Sequence, residues 1–214
     1  MLQDNIREAI HLLGELICSS EQSYLSYRKK NQRIELRKEN KVGFLRQGSV
    51  FMCRSDNDIV TVSIDGPAII GMTQMLHDTQ SYYIRCSLDC EIVMIDTANF
   101  INMLKQYNYW FQAFLILSHY MQMFFQRERR LGHKTIKEIV IEHLRCIWQL
   151  DTESRENTSV YTFILARNQV SRSSLHKIMS QLSEDGFIRL QRGRLQWMRE
   201  DTSSCVQDRG ESTP

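Results

Sequence analysis

Residues 171–182 read Ser-Arg-Ser-Ser-Leu-His-Lys-Ile-Met-Ser-Gln-Leu, and the fold of the carboxyl-terminal part of the chain depends on this stretch. Its apolar residues recur at helical spacing, so one face of the predicted helix is apolar. These residues are Leu175, Ile178, Met179 and Leu182. Ser171 is a good helix N-cap, because its hydroxyl can accept a backbone N–H of the first turn, and Gly186 ends the helix.

The opposite face of this helix is polar and basic, and a tight hairpin is predicted directly after it. The polar face carries Arg172 at the helix start, followed by Ser173, His176, Lys177 and Ser180. Two apolar segments, 187–190 and 195–198, flank the basic turn Gln191-Arg-Gly-Arg194. This combination is typical of the second half of a winged helix-turn-helix, in which the helix enters the major groove and the wing contacts phosphate. The alternative is a surface helix beside a hairpin in an unrelated α+β domain.

Charge is distributed unevenly along the 214 residues, although the net charge is only +2. Residues 1–126 hold 12 basic and 13 acidic residues, whereas residues 127–199 hold 14 basic and 8 acidic residues. The tail from residue 200 holds one basic and four acidic residues. Positive charge is therefore concentrated around the predicted helix and hairpin, as a phosphate-binding surface requires.

The six cysteines have no spacing that indicates a metal site or a redox motif, and no secretory signal peptide is recognisable. We therefore expect reduced thiols and a cytoplasmic protein. Cys86 and Cys90 flank a predicted bend between two strands and could approach each other. A redox switch would need an accessible thiol of low pKa, for which Arg85 offers positive charge; buried inert cysteines are the alternative.

Catalysis is the function class that the sequence supports least. The histidines have no metal-ligand spacing with each other or with acidic residues, so no metal site is predicted. No nucleophile arrangement of the Ser–His–Asp or Cys–His type emerges, and no glycine-rich phosphate loop is present. We expect a protein that is not an enzyme.

The first half of the chain predicts a helix followed by a small β-domain. Residues 3–18 form an amphipathic helix, and residues 19–32 are polar and basic, which is typical of a connector. From residue 33 to residue 96 short strands alternate with turns, which indicates a small antiparallel barrel or sandwich.

A long helical segment follows, and residues 106–126 contain no Asp, Glu, Lys or Arg. Its length would cross a bilayer, but polar residues interrupt it too often. A helix held between its own β-domain and the identical helix of a partner subunit fits the pattern better. The side chains that would supply this burial are Trp110, Phe114, Leu117, Met121, Phe124 and Phe125.

Residues 135–150 predict another amphipathic helix, and residues 151–159 predict an exposed loop. Residues 161–168 would be the first helix of the helix-turn-helix, packing Ile164 and Leu165 against the helix at 171–182. The polar tail at residues 200–214 is predicted to be disordered.

This order of parts resembles the Crp-Fnr transcription regulators of bacteria over roughly residues 30–198, and is most similar to their divergent IprA-like (YaiV-like) members. The residues that carry the resemblance are Gly48-Ser-Val, Ile69-Ile-Gly71, Cys90-Glu-Ile-Val-Met-Ile95 and the stretch 171–182. The resemblance implies an α+β fold with an amino-terminal antiparallel β-roll like a cyclic-nucleotide-binding jelly roll, a long dimerisation helix and a carboxyl-terminal winged helix-turn-helix. The predicted segments are the helix and connector 1–32, the β-roll 33–107, the dimerisation helix 108–131, the winged helix-turn-helix 132–199 and the tail 200–214.

The resemblance also implies which residues contact DNA. Arg172, Ser173 and Lys177 stand at the base-reading positions of the family's recognition helix, and Arg172 can present a bidentate fork to guanine. The alternatives for Arg172 are a phosphate contact or a surface ion pair with Glu184 or Asp185. Further candidates are Ser171, His176, Ser180 and Arg167, with Arg189, Arg192 and Arg194 as wing–phosphate contacts.

The chain departs from the cyclic-nucleotide binders at the residues that hold their ligand. Met72 replaces the glutamate that binds the ribose hydroxyls, and Gln80-Ser81 replaces the arginine–serine pair that clamps the cyclic phosphate. We therefore expect no cyclic AMP and no other cofactor. Only Cys18 lies in the amino-terminal region, which argues against the iron–sulfur cluster that other relatives carry there.

These observations favour a homodimeric, DNA-binding regulator of transcription that is independent of cyclic AMP. Its partners would be a double-stranded DNA operator, a second copy of the chain and, as the resemblance implies, RNA polymerase, but no membrane. The similarity to IprA-like proteins implies a role in stress response. Two alternatives stay open: a redox-responsive regulator acting through Cys86 and Cys90, and an interaction protein that keeps the fold without binding DNA.

Overall fold

The computed structural model describes residues 2–77, 79–132 and 134–199, and the side chains from residue 4 onward. The tail predicted to be disordered, residues 200–214, lies outside them. The described residues divide into two compact units, the first formed by residues up to 132 with 166–168 and the second by residues 134–165 with 169–199. The predicted boundary between the dimerisation helix 108–131 and the winged helix-turn-helix 132–199 lies one residue before this division.

The first unit is built around two four-stranded antiparallel sheets with the strand orders β1-β8-β3-β6 and β2-β7-β4-β5. Its described elements are α1 (Leu2–Ser19), β1 (Tyr24–Arg28), β2 (Arg33–Ile34), β3 (Lys41–Gln47), β4 (Ser49–Arg54), β5 (Val60–Asp65), β6 (Ala68–Ile70), a short 3₁₀ helix (Met72–Gln74), β7 (Tyr82–Cys86), β8 (Cys90–Asp96), α2 (Thr97–Tyr107) and α3 (Trp110–Leu131). A single apolar cluster joins the two sheets with α1, α2 and α3. The predicted α+β fold with an antiparallel roll is confirmed.

The roll begins earlier than predicted. Residues 24–28, assigned to the connector 19–32, form β1, which pairs antiparallel with β8 so that Leu25 lies opposite Val93. The strand expected from residue 33 onward is limited to Arg33 and Ile34. Because β1 is an edge strand with Tyr24, Leu25 and Tyr27 exposed, its residues lack the alternation that marks a half-buried strand.

The amino-terminal helix packs on the roll through a glycine. A Cβ atom built on Gly14 of α1 would lie 2.5 Å from Cζ of Phe44 on β3, so only glycine allows the helix to approach this ring. Ala9, Leu13 and Ile17 of α1 are buried in the core of the first unit. The amphipathic helix predicted at 3–18 is thus confirmed as a packing element.

The helical segment divides into α2 and α3 close to residue 108, where the dimerisation helix was predicted to begin. Asn108 has a φ of 57° and ends α2 in the left-handed conformation that asparagine tolerates, and α3 starts at Trp110. Ala113, Ile116 and Tyr120 of α3 are buried in the first unit. Among the described helices, none combines the length and the hydrophobicity that crossing a bilayer requires.

The second unit has the predicted winged helix-turn-helix order. Its described elements are α4 (Ile136–Trp148), α5 (Thr152–Asn157), α6 (Val160–Leu165), α7 (Arg172–Glu184), β9 (Ile188–Gln191) and β10 (Arg194–Met198). The loop predicted at 151–159 is wrong, because residues 152–157 form α5, whose N-cap Asp151 accepts a hydrogen bond from the Ser154 N–H at 3.0 Å. Ile164 of α6 and Leu175 of α7 are both buried in the core of this unit, as predicted.

Candidate nucleic-acid interface

The two ends of α7 are fixed by local hydrogen bonds. Oγ of Ser171 accepts from the N–H of Ser174 at 3.1 Å, which confirms the predicted N-cap. At the other end Gly186 has a φ of 62°, its N–H donates to the carbonyl of Ser183 at 3.1 Å, and the N–H of Phe187 donates to the carbonyl of Leu182 at 2.8 Å. This is a Schellman motif, and it turns the chain directly into β9.

The faces of α7 separate as the spacing predicts. Leu175, Met179 and Leu182 are buried against α4, α6 and the hairpin. The opposite side is exposed at Arg172, Ser173, His176 and Lys177, and Ser180 is half-buried at its flank. An apolar face anchored in the core and a polar face in solvent leave the helix able to contact a duplex groove.

The cationic groups of this face are free to bind an external anion. Arg172 and Lys177 form no ion pair with any residue that the structure describes, so the pairing of Arg172 with Glu184 or Asp185 is absent. The nearest cationic atom to the Asp185 carboxylate is Nζ of Lys137, at 4.0 Å. Arg172 and Lys177 therefore keep their full hydrogen-bonding capacity for bases or phosphates.

The remaining candidates on α7 are partly engaged in local contacts. Oγ of Ser171 also lies 3.0 Å from Oγ of Ser173 and donates to Oγ of Ser174 at 2.8 Å, so its hydroxyl is committed to the helix start. Nδ1 of His176 lies 3.5 Å from Oγ of Ser180, at the limit of a hydrogen bond. Ser173 is exposed and keeps lone-pair capacity for an external donor.

The hairpin is the short basic wing that the sequence predicts. Gln191 pairs with Arg194 across a two-residue turn in which Arg192 has a φ of 50° and Gly193 a φ of 74°, the values of a type I′ turn. Arg189 and Arg192 are exposed and form no ion pair within the described chain. The guanidinium of Arg194 donates to the carbonyl oxygen of Glu156 in α5, so this side chain steadies the wing.

Arg167 is placed differently from the other candidates. Residues 166–168 group with the first unit, where the guanidinium carbon of Arg167 lies 5.2 Å from the ring centroid of Phe51. The geometry thus gives Arg167 an aromatic neighbour in the first unit, and its role at DNA stays a prediction.

Gln181 is a candidate that sequence reasoning missed. It is exposed on α7 and follows Ser173 and Lys177 at intervals of four residues, which places all three on one stripe. A glutamine amide can bind the N6 and N7 edge of adenine in a bidentate manner. Continuing the spacing of Ser173 and Lys177 by one turn would have identified it.

The two cysteines proposed as a redox pair are close together but not accessible. Burial, reinforced by the neighbouring Cys90 thiol, raises the pKa of Cys86 to about 12. Burial also raises the pKa of Cys90, whose Sγ lies 3.3 Å from the carbonyl oxygen of Ser49. The two thiols approach each other as expected, but neither is the accessible thiol of low pKa that a redox switch would need, because β7 and β8 bury them in the roll.

The segment that resembles a cyclic-nucleotide site carries Met72 and Gln80, and the expectation that it does not bind such a ligand stays a prediction. Met72 follows Gly71, which has a φ of 96°, and its buried thioether cannot accept hydrogen bonds from a ribose in the manner of a carboxylate. Oε1 of Gln80 is buried without a hydrogen-bond partner in the described chain. The guanidinium carbon of Arg85 lies 5.9 Å from the ring centroid of Phe51.

Comparisons with known proteins agree with this geometry. Residues 137–200 match the family described as winged helix-turn-helix DNA binding. The protein named inhibitor of hydrogen peroxide resistance, from Escherichia coli strains K12 and O157:H7, is 23% identical over 152 residues, covering 70% of this chain and 72% of its own.

Two solved structures are similar over most of the chain. The c-di-GMP responsive global regulator CLP of Xanthomonas campestris has a TM-score of 0.68 at 11% identity, covering 88% of this chain and 97% of its own. A CRP/FNR family transcriptional regulator of Thermus thermophilus has a TM-score of 0.59 at 14% identity, covering 82% and 94%. The likeness shows that the chain has the Crp/Fnr fold, which confirms the resemblance seen in the sequence.

Proposed function

We propose that this chain, which carries a winged helix-turn-helix DNA-binding domain on the Crp/Fnr fold, is a homodimeric regulator of transcription. The observation that carries the proposal is the exposed face of α7, where Arg172 and Lys177 have no partner within the described chain. An unpaired arginine at the start of a helix, beside a basic two-residue hairpin, fits a major groove and its flanking phosphates. A cytoplasmic location and contact with RNA polymerase follow from this function as parts of the proposal.

The dimer is proposed from α3. Four large apolar side chains of α3 are exposed and recur at heptad spacing: Phe111, Phe114, Met121 and Phe125. Ser118 occupies the remaining position of the same stripe. Because a stripe with a period of 3.5 residues is the seam of a left-handed coiled coil, a second copy of α3 is the partner that fits it.

Independence from cyclic AMP and a role in stress response complete the proposal. Met72 and Gln80 offer neither the carboxylate nor the cation that a cyclic nucleotide would need. The name of the relative in Escherichia coli supports a connection with resistance to hydrogen peroxide. Buried thiols of raised pKa at Cys86 and Cys90 argue against direct sensing of peroxide by these residues.

The test is a salt titration of binding to genomic fragments selected by the purified protein. If Lys177, Arg189 and Arg192 of both subunits contact phosphate, a plot of the logarithm of the binding constant against the logarithm of the salt concentration should have a slope of about −5. Arg172→Ala should lower the preference for the selected fragment over random DNA by about tenfold or more, because one bidentate base contact is lost.

The matched control is Arg7→Ala, which removes an exposed arginine from α1 and should leave both the slope and the preference unchanged. Wild-type protein that binds no DNA at low ionic strength contradicts the proposed function and favours an interaction protein with the same fold. A preference that survives Arg172→Ala removes this residue from base recognition.

A further inference from the structure

Gln74 is a buried polar side chain whose hydrogen bonds all go to the start of β7. It ends the short 3₁₀ helix that follows Gly71, and only 7% of its surface is exposed. Its Oε1 accepts from the backbone N–H groups of Ser81 and Tyr82, each at 3.0 Å. Its Nε2 donates to the carbonyl oxygen of Tyr82 at 3.0 Å. The side chain of Gln74 therefore joins the 3₁₀ helix to two backbone positions that lie seven and eight residues further along the chain.

The arrangement at Oε1 has the form of an anion cradle. Two successive backbone N–H groups converge on one oxygen atom, which is how main-chain nests hold phosphate and other anions. These N–H groups follow Gln80, where the resemblance places the phosphate clamp of the cyclic-nucleotide binders. Here the amide oxygen of Gln74 satisfies both donors, and no cation is needed because the amide is neutral.

The same segment contacts α3 both before and after Gln74 in the chain. Oη of Tyr120 on α3 donates to the carbonyl oxygen of Ile69 at 2.7 Å, just before the 3₁₀ helix. The ring of Tyr82 packs against that of Phe124 on α3, with centroids 5.8 Å apart and an interplanar angle of 48°. Because Gln74 fixes both the N–H and the carbonyl of Tyr82, it also fixes where the Tyr82 ring can lie.

We propose that Gln74 is a positioning residue that replaces an effector molecule. It holds Tyr82 against Phe124 and thereby keeps α3 in the position that exposes its heptad stripe, without any bound small molecule. The inference rests on the proposed dimeric function and adds the group that makes dimer formation independent of a ligand. A neutral internal side chain takes over the two donors that a bound anion would otherwise occupy.

The test compares Gln74→Met with Gln74→Glu in the full-length protein. Methionine keeps the length and the apolar bulk but removes all three hydrogen bonds, which leaves two buried N–H groups without an acceptor. We expect the dimer dissociation constant to rise, and the affinity for DNA to fall, by about tenfold or more. Gln74→Glu keeps the acceptor for both N–H groups and should recover part of the loss. Gln106→Met, at an exposed glutamine of α2, is the matched control and should change neither quantity.

Two further measurements separate positioning from general stability. Amide hydrogen exchange at Ser81 and Tyr82 should accelerate in Gln74→Met. Phe124→Leu should weaken dimerisation and DNA binding while the exchange of these two amides stays slow, because the bonds of Gln74 are intact. If Gln74→Met does not fold, this second variant decides the question.

The inference is overturned if Phe124→Leu dimerises like the wild type. It is also overturned if a folded Gln74→Met protein dimerises normally although the amides of Ser81 and Tyr82 exchange rapidly. An increase in wild-type dimerisation on addition of cyclic AMP overturns it as well. If the wild-type protein binds no DNA, the proposed function is contradicted instead. If the wild-type protein binds DNA and the Gln74→Met variant behaves in the same way, only the role of Gln74 is contradicted.

Discussion

Phe114→Ala tests the heptad stripe of α3 at its most informative position. Phe114 is 62% exposed in the single chain. Burying a whole phenylalanine is worth about 1.5–3 kcal/mol, so covering this exposed part contributes about 1–2 kcal/mol in each subunit. Both subunits lose it in the variant, which amounts to about 2–4 kcal/mol per dimer. At 1.4 kcal/mol per factor of ten, dimerisation should weaken about 30- to 700-fold.

Sedimentation equilibrium over a range of protein concentrations measures this change directly. Leu76→Ala is the control, because Leu76 is a large apolar side chain that is 71% exposed outside the α3 stripe. Far-ultraviolet circular dichroism should be the same for both variants and the wild type, since neither side chain belongs to the core. The reasoning is refuted if Phe114→Ala dimerises like the wild type, or if Leu76→Ala weakens the dimer equally.

Other consequences of the structure can be checked with single substitutions. Arg192→Ala should weaken binding to all DNA sequences alike and reduce the salt slope of the dimer by about 2, one for each subunit; a loss confined to one sequence would contradict a phosphate contact. Gly14→Ala should cost about 1–3 kcal/mol in urea unfolding, because the new methyl group would overlap the Phe44 ring. An unchanged unfolding midpoint would show that the ring moves aside. Cys86 should resist alkylation at neutral pH until the protein unfolds, since burial raises the pKa of its thiol from 9.0 to about 12. The neutral thiol contributes its full stabilisation below pH 9 and loses it as the pH rises toward 12, so a titration of stability with the opposite sign would refute this assignment.

Sequence reasoning succeeded where the signals were local. Ser171 and Gly186 mark the two ends of α7. Both were predictable because capping and the left-handed turn depend on residues within a few positions of the helix ends. The wing was predictable for the same reason, since Gly193 and its neighbours determine a two-residue turn. Sequence reasoning failed at α5, because the polar composition of this segment indicated a loop and the N-cap Asp151 was not recognised.

The rest depended on contacts between distant segments. The bend between Cys86 and Cys90 left open whether their thiols are accessible or buried, because their burial depends on how the two sheets pack. The partners of Gln74 are backbone groups seven and eight residues further along the chain, so no pattern within the 3₁₀ helix identifies them. Edge strand β1 escaped notice because it is defined by pairing with β8, about seventy residues further along the chain.

The polar position in the middle of the α3 stripe has a consequence for how two copies align. In a parallel pair each Ser118 faces its own counterpart, whereas sliding one helix by a heptad would set it against the bulky rings of Phe111 or Phe125. The next stripe position after Phe125 is Glu128, which is exposed and would meet an identical negative charge. Nη1 of Arg127 in the same chain lies 3.0 Å from Oε1 of Glu128, so in the proposed dimer the apolar part of the seam would end at Phe125 and span about four turns.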